Sequence, residues 1–265
     1  MPRSTTPSGV DRIEDAYPLV SSQASMLSEC LASDDPSLYV EQTILRFTGP
    51  LDQERFHKAW SRVTQALPPL RTVFAWRGAQ PMQVVRSVED NWTVKDLSGL
   101  TAERQDDEIR RHVITDRLAG FDLRKGPLSR YALFTLGPDT HVFVWTHHHL
   151  ILDGWSVGLL VSLVERAYAE GTAPDPQGAA HHKFVEWLAG RNDKESRNFW
   201  ATHLEGYVPS PLPGIETVPQ KTPADEDTDA WVQHSIPDNI LGRWECRLAA
   251  GRITLSTLIT AAWAV

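Results

Sequence analysis

The sequence predicts an α/β fold, a mixed β-sheet packed by helices. Apolar runs rich in β-branched and aromatic residues, of which His141 to Thr146 is the clearest, have the composition of largely buried strands. The segments 52–67 and 154–170 instead bring apolar residues round every three or four positions, the spacing of a helix with one buried stripe. With 265 residues, 41% of them hydrophobic and 10 of them Trp, the chain can bury a sizeable core as one large or two ordinary domains.

In chain order, residues 1–16 read as a mobile tail, and Tyr17-Pro18-Leu19 leads into a short helix from about Ser22 to Leu31. Residues 39–48 read as a strand broken by Gly49-Pro50. Asp52 has the chemistry of an N-cap, Leu51 and Phe56 can form a hydrophobic staple, and Phe56, Trp60, Val63 and Leu67 make the buried stripe of the next helix. Pro68-Pro69 ends it. Strands are expected at Leu70 to Trp76 and Met82 to Val85, either side of a turn at 77–80. Asp96 to Gly99 reads as a turn, and Thr101 to Leu118 as a solvated helix with Ile109 and Val113 inward.

Strands at Ser129 to Leu136 and His141 to Thr146 are joined by Gly137-Pro138-Asp139-Thr140 in the manner of a hairpin. After Gly154, Val157, Leu160, Val161, Val164 and Tyr168 define a core helix ending near Gly171. A second, interrupted helical stretch uses Phe184, Trp187, Leu188, Phe199, Trp200 and Leu204. From Tyr207 to Asp229 a proline-rich, acidic composition predicts an extended connection. Beyond it come a strand at Trp231 to Ile236, a helix from about Asp238 and a last helix from Ser256. That helix is still apolar at Ala262, Trp263 and Val265, so the chain is expected to end inside an element.

A net charge of -8 and a pI near 5.7 give no basic footprint, so a nucleic-acid partner is not expected. No apolar run approaches the roughly 20 residues that span a bilayer, and the opening residues contain no signal-peptide core, so no membrane partner is expected either. Cys30 and Cys246 are too few for a disulfide framework and have no metal spacing. A reducing cytoplasm is the expected home.

The residues with chemical potential gather where the strand His141 to Thr146 meets the helix after Gly154. If the strand persists to Leu150, His147 and His149 share one face and His148 takes the other. Asp153 at the turn can cap backbone N–H groups, pair with a cation or orient a histidine. Gly154 permits a sharp bend and leaves the first helical N–H groups open to a ligand oxygen. A metal held by His147, His149 and Asp153 lacks the further ligand from another element that zinc sites use, so no metal is assigned. His148 reads as a core residue with a satisfied N–H.

The stretch His148-His149-Leu150-Ile151-Leu152-Asp153-Gly154-Trp155-Ser156 resembles the His-His-x-x-x-Asp-Gly signature of condensation domains of nonribosomal peptide synthetases. Leu70-Arg71-Thr72-Val73-Phe74 is similar to the family's Leu-Arg-Thr-x-Phe, and Phe121-Asp122-Leu123 with Pro127-Leu128, then Phe184 with Trp187, follow in the family's order. In the family's first signature, Ser-x-Ala-Gln-x-Arg, only Gln23 matches, with Val20, Ser22 and Ser25 at the other named positions; His181 and Lys183 stand where the family has Tyr and Asp.

The resemblance implies a chloramphenicol-acetyltransferase-like lobe over 17–206, a linker over 207–229, and at 230–265 the start of a C-terminal lobe that is otherwise missing. It implies amide-bond formation between donor and acceptor groups on the phosphopantetheine arms of peptidyl carrier domains, with no permanently bound cofactor. His149 is the implied catalytic residue, taking a proton from the attacking amine or positioning it. Asp153 is the implied structural aspartate, with Arg71 as its candidate partner, and the Gly154 N–H helps hold the oxyanion. Gln23, Trp155 and Ser156 are expected along the channel. Without its second lobe the chain is expected to be inactive. Two other readings stand beside this one: a freestanding acyltransferase that uses coenzyme A thioesters, and a non-catalytic lobe that docks a carrier or partner.

Overall fold

The computed structural model describes residues 13–78, 80–88, 90–175, 181–208 and 235–263. At the centre of its larger sheet is β7 (Thr140–His148), every residue of which is buried after the first. It runs antiparallel to β2 (Val40–Thr48) on one side and to β6 (Ser129–Gly137) on the other. The outer strand β5 (Trp92–Asp96) lies parallel to β6, giving the order β2-β7-β6-β5. Parallel neighbours need a crossover connection. Here α3 (Ala102–Leu118) supplies it, covering one face of the sheet with Ile109 against Ala132, Phe134, Val142 and Val144.

Because side chains alternate along a strand, Phe143 and Trp145 face the other way, into the main core under α2 (Gln53–Ala66) and α4 (Gly154–Glu170). Trp60 of α2 fills the centre, with ring centroids 5.0 Å from Tyr131, 5.1 Å from Phe143 and 5.0 Å from Trp145. Full burial of an aromatic side chain of this kind is worth about 1.5–3 kcal/mol, so this layer fixes α2 and α4 on the sheet. As anticipated, Asp52 caps α2, accepting from the Arg55 N–H at 3.0 Å. Gly171, at φ 73, ends α4 with its N–H on the Ala167 carbonyl.

A smaller antiparallel sheet has the order β1-β4-β3, built from β1 (Ile13–Pro18), β4 (Met82–Arg86) and β3 (Thr72–Ala75). It neighbours α1 (Ser21–Ala32) and α5 (His181–Ala189) in sequence or contact; Val185 of α5 packs with Tyr17 and Val85. Residues 13–16, assigned to the tail from composition, are thus strand. Only Tyr17 of β1 is buried, so no alternation of polarity announced the strand. Leu70 and Arg71 lie in a 3₁₀ turn, Pro68–Arg71, because the proline pair that stops α2 also starts the next helical turn. The expected strand therefore begins at Thr72.

The described residues divide into two compact units, the first ending at Ser196 and the second beginning at Arg197, a division that falls within α6 (Lys194–His203). The interruption expected in the second helical stretch separates α5 from α6. In the second unit α7 (Asp238–Gly251) and α8 (Leu255–Trp263) pack together. The proposed linker from 209 onward and most of the strand at Trp231 to Ile236 lie outside the described residues. Among those described, no helix is long and apolar enough to cross a membrane.

Candidate active site

The three adjacent imidazoles leave β7 with different environments. His147 is wholly buried, stacked on Trp145 at a centroid distance of 4.5 Å. His148 points to the opposite face, against Tyr39 and Phe121. The strand ends there and the chain turns, and the His148 ring holds that turn: its Nδ1 accepts the Leu150 N–H at 3.1 Å, and its Nε2 is 3.7 Å from Cys30 Sγ. His148 is buried, and its ring accepts rather than donates at Nδ1. Burial first, and the neighbouring His149 next, push both His147 and His148 down to about 4, so both are neutral near pH 7.

His149 alone of the three reaches open space. Its N–H donates to the Tyr39 carbonyl at 2.8 Å, one residue before β2 begins, which pins the backbone beyond the end of the ladder. Tyr39 has φ 60, a left-handed conformation unusual for a non-glycine residue. The His149 side chain is 25% exposed and lines a cavity of about 380 Å³. Gln23, Gln83, Leu150, Asp153, Ser156, His181 and Phe184 line it too.

Gln23 braces this cavity from α1. Its side-chain amide accepts the Val20 N–H at 3.1 Å, donates to the Leu150 carbonyl at 3.0 Å and pairs with the Gln83 amide. Gln83 is 1% exposed and also donates to the Pro18 carbonyl at 3.0 Å. Gln23 and Ser156 line this cavity, whereas Trp155 is 88% exposed and absent from its wall. Trp155 is the second residue of α4, and its ring stands exposed to solvent.

Asp153 is the N-cap of α4, accepting from the Ser156 N–H at 2.8 Å and the Ser156 hydroxyl at 2.6 Å. These two donors hold its carboxyl below the ordinary range. The expected pairing with Arg71 is not formed. Arg71 is buried in the 3₁₀ turn, with Nη1 2.7 Å from Glu14 Oε1 and 3.3 Å from the Arg86 carbonyl. It ties β1 to β4 rather than serving the corner. Nor does Gly154 make a sharp bend; its φ is ordinary, and a Cβ there would meet open space.

Glu41, which nothing in the sequence singled out, stands opposite His147 in the β2–β7 register. One carboxylate oxygen is 3.4 Å from His147 Nε2 and the other 3.2 Å from His149 Nδ1, neither aligned as a hydrogen bond. Gln83 and Glu41 were missed, because single polar residues inside apolar runs give no spacing signal, and His181 was named only as a departure from the family's Tyr. Among the described residues no group of three or more His, Cys, Asp or Glu is placed to hold a metal ion.

A family model for the condensation domain matches residues 13–265. The chain belongs to that family. Chondramide synthase cmdD of Chondromyces crocatus is 32% identical over 241 residues, covering 88% of this chain and 6% of that protein. Surfactin synthase subunit 2 of Bacillus subtilis (strain 168) is 29% identical over 260 residues, covering 96% of this chain and 7% of that protein. This condensation domain chain therefore spans only a small part of such relatives. In fold it is similar to the starter condensation domain of rhizomide synthetase, with a TM-score of 0.64 at 19% identity, covering 74% of this chain and 49% of that one. The first condensation domain of the calcium-dependent antibiotic synthetase, solved with a substrate analogue, gives a TM-score of 0.58 at 22% identity, covering 72% and 48%. The expected α/β class and family both hold.

Proposed function

We propose that this chain is the first lobe of a nonribosomal peptide synthetase condensation domain. It joins a donor acyl thioester to an acceptor amine, both carried on phosphopantetheine arms of peptidyl carrier domains. The carrying observation is that one imidazole of the signature, His149, opens into the cavity while its two neighbours are buried, neutral and committed to packing. The amine nitrogen attacks the thioester carbonyl, and His149 positions the amine or takes its proton at Nε2. The new C–N bond forms, the C–S bond breaks, and the departing pantetheine thiolate receives the proton. A thioester is already activated, so no covalent enzyme intermediate is needed. In this reading the Gly154 N–H helps hold the oxyanion; its support is that Gly154 is the first residue of α4, and the first N–H groups of a helix have no intrahelical partner.

The test uses a complete condensation domain whose first part is this chain, with donor and acceptor carriers loaded and amide formation followed by mass spectrometry. His149→Ala is expected to lower the rate by about 10² to 10⁴ with unchanged thermal unfolding. Undiminished product from His149→Ala would leave a docking lobe as the better reading. Equal turnover of coenzyme A thioesters with a carrier-free acceptor would favour a freestanding acyltransferase.

A further inference from the structure

The Glu41 carboxylate divides its two oxygens between two imidazoles, and we propose that it is a positioning residue that holds the His149 proton on Nδ1 and keeps the Nε2 lone pair turned to the cavity. The inference deepens the assignment of His149 as the reacting imidazole and rests on it. Its geometry follows from the sheet. Glu41 and His147 are directly opposed across β2 and β7, so their side chains rise from the same face. His149 is two residues further on, at the diagonal position that a long side chain can reach. Glu41 accordingly lies 3.4 Å from His147 Nε2 through Oε2 and 3.2 Å from His149 Nδ1 through Oε1.

Three features make this more than a surface contact. His149 lines the cavity and Glu41 does not, so the carboxylate approaches the ring from behind. His149 Nδ1 is buried although a quarter of the side chain is exposed, so the exposed edge is the other one. His147 is wholly buried and stacked on Trp145, and gives the carboxylate a closely packed neighbour on its second oxygen. Which imidazole nitrogen carries the proton is set by the hydrogen bond that the other face of the ring makes. Among the described residues, Glu41 is the one carboxylate that approaches Nδ1 of His149. The separation already fits a hydrogen bond, and a side chain 44% exposed has the torsional freedom to align it.

The test reads the tautomer directly, by ¹⁵N NMR of the histidine side chains in this 265-residue chain, with the His149 signals assigned from His149→Gln. In the unsubstituted protein His149 is expected to carry its proton on Nδ1; a predominant Nε2–H form overturns the proposal with no variant needed. Glu41→Leu removes the acceptor and is expected to shift the tautomer toward Nε2–H, while Glu41→Gln, which keeps an acceptor oxygen, retains it. An unchanged tautomer in folded Glu41→Leu also overturns the proposal. In the complete domain Glu41→Leu is expected to lower kcat by at least about tenfold with KM for the carriers unchanged, and Glu41→Gln to restore much of it. If His149→Ala keeps full activity while the tautomer responds to Glu41, the functional reading fails and the positioning contact stands.

Discussion

Asp153 and Ser156 close the first turn of α4 on themselves, with both the backbone N–H and the hydroxyl of Ser156 directed at the one Asp153 oxygen, Oδ1. In the fold Asp153 is thus the N-cap of α4. Its carboxylate is a cap at the exposed end of a helix, and Arg71, the cation that the sequence suggested for it, is held by Glu14. Asp153→Ala should therefore cost about 1 kcal/mol, the ordinary value of an N-cap, rather than the several kcal/mol of a broken buried ion pair. Denaturant midpoints for Asp153→Ala, Arg71→Ala and the double variant measure this. Independent sites predict additivity within about 0.5 kcal/mol. A larger coupling would mean that the two residues pair in solution after all.

Gly154 separates the needs of the fold from those of a ligand. Its backbone is ordinary and a methyl group there would meet no atom, so Gly154→Ala should leave stability unchanged or slightly raised. If acyl groups or the oxyanion approach the start of α4, the same methyl should lower the rate of amide formation. Melting temperature and turnover, measured on the same variant, are expected to move apart. Loss of both together would mean that the glycine is required for folding.

The sheet and helices were legible where one kind of signal was long and consistent. α2 carried an N-cap and a stripe, and both are present, with Leu51 and Phe56 belonging to the same core cluster. The apolar run of β7 gave its burial, and the two-residue period placed His147 and His149 toward one side and His148 toward the other, which their different partners bear out. β5 was not legible, because a short outer strand with no fully buried residue carries no run of apolar side chains. The failure at Arg71 was of another kind. Its neighbours in sequence matched a signature, but its ion-pair partner lies in β1, a strand that composition had assigned to a tail, and long-range pairing leaves no local mark. Glu41 is the same case. Its role depends on the β2–β7 register, which is a property of the assembled sheet.

The two buried imidazoles make stability depend on pH in a definite direction. His147 and His148 titrate near 6.5 when free and are pushed down to about 4 in the fold. Between those values the unfolded chain binds protons that the folded chain refuses, so stability is full above about 6.5 and declines as pH falls toward 4. From pH 7 to pH 5 one such site removes on the order of 2 kcal/mol. Lowered carboxyls such as Asp122 and Asp153 titrate below this window and do not contribute to the decline. His112 and His181 are also pushed down by burial and do contribute, so the slope of the unsubstituted protein alone does not isolate the corner. His148→Gln isolates it. A glutamine oxygen can accept the Leu150 N–H that His148 Nδ1 now takes, and it does not titrate. The variant should be somewhat less stable at pH 7, yet lose less of its denaturant midpoint between pH 7 and pH 5 than the parent does. Parallel pH curves for the two proteins would show that His148 is not held neutral by its burial, and that the turn leading to His149 is secured by something other than that ring.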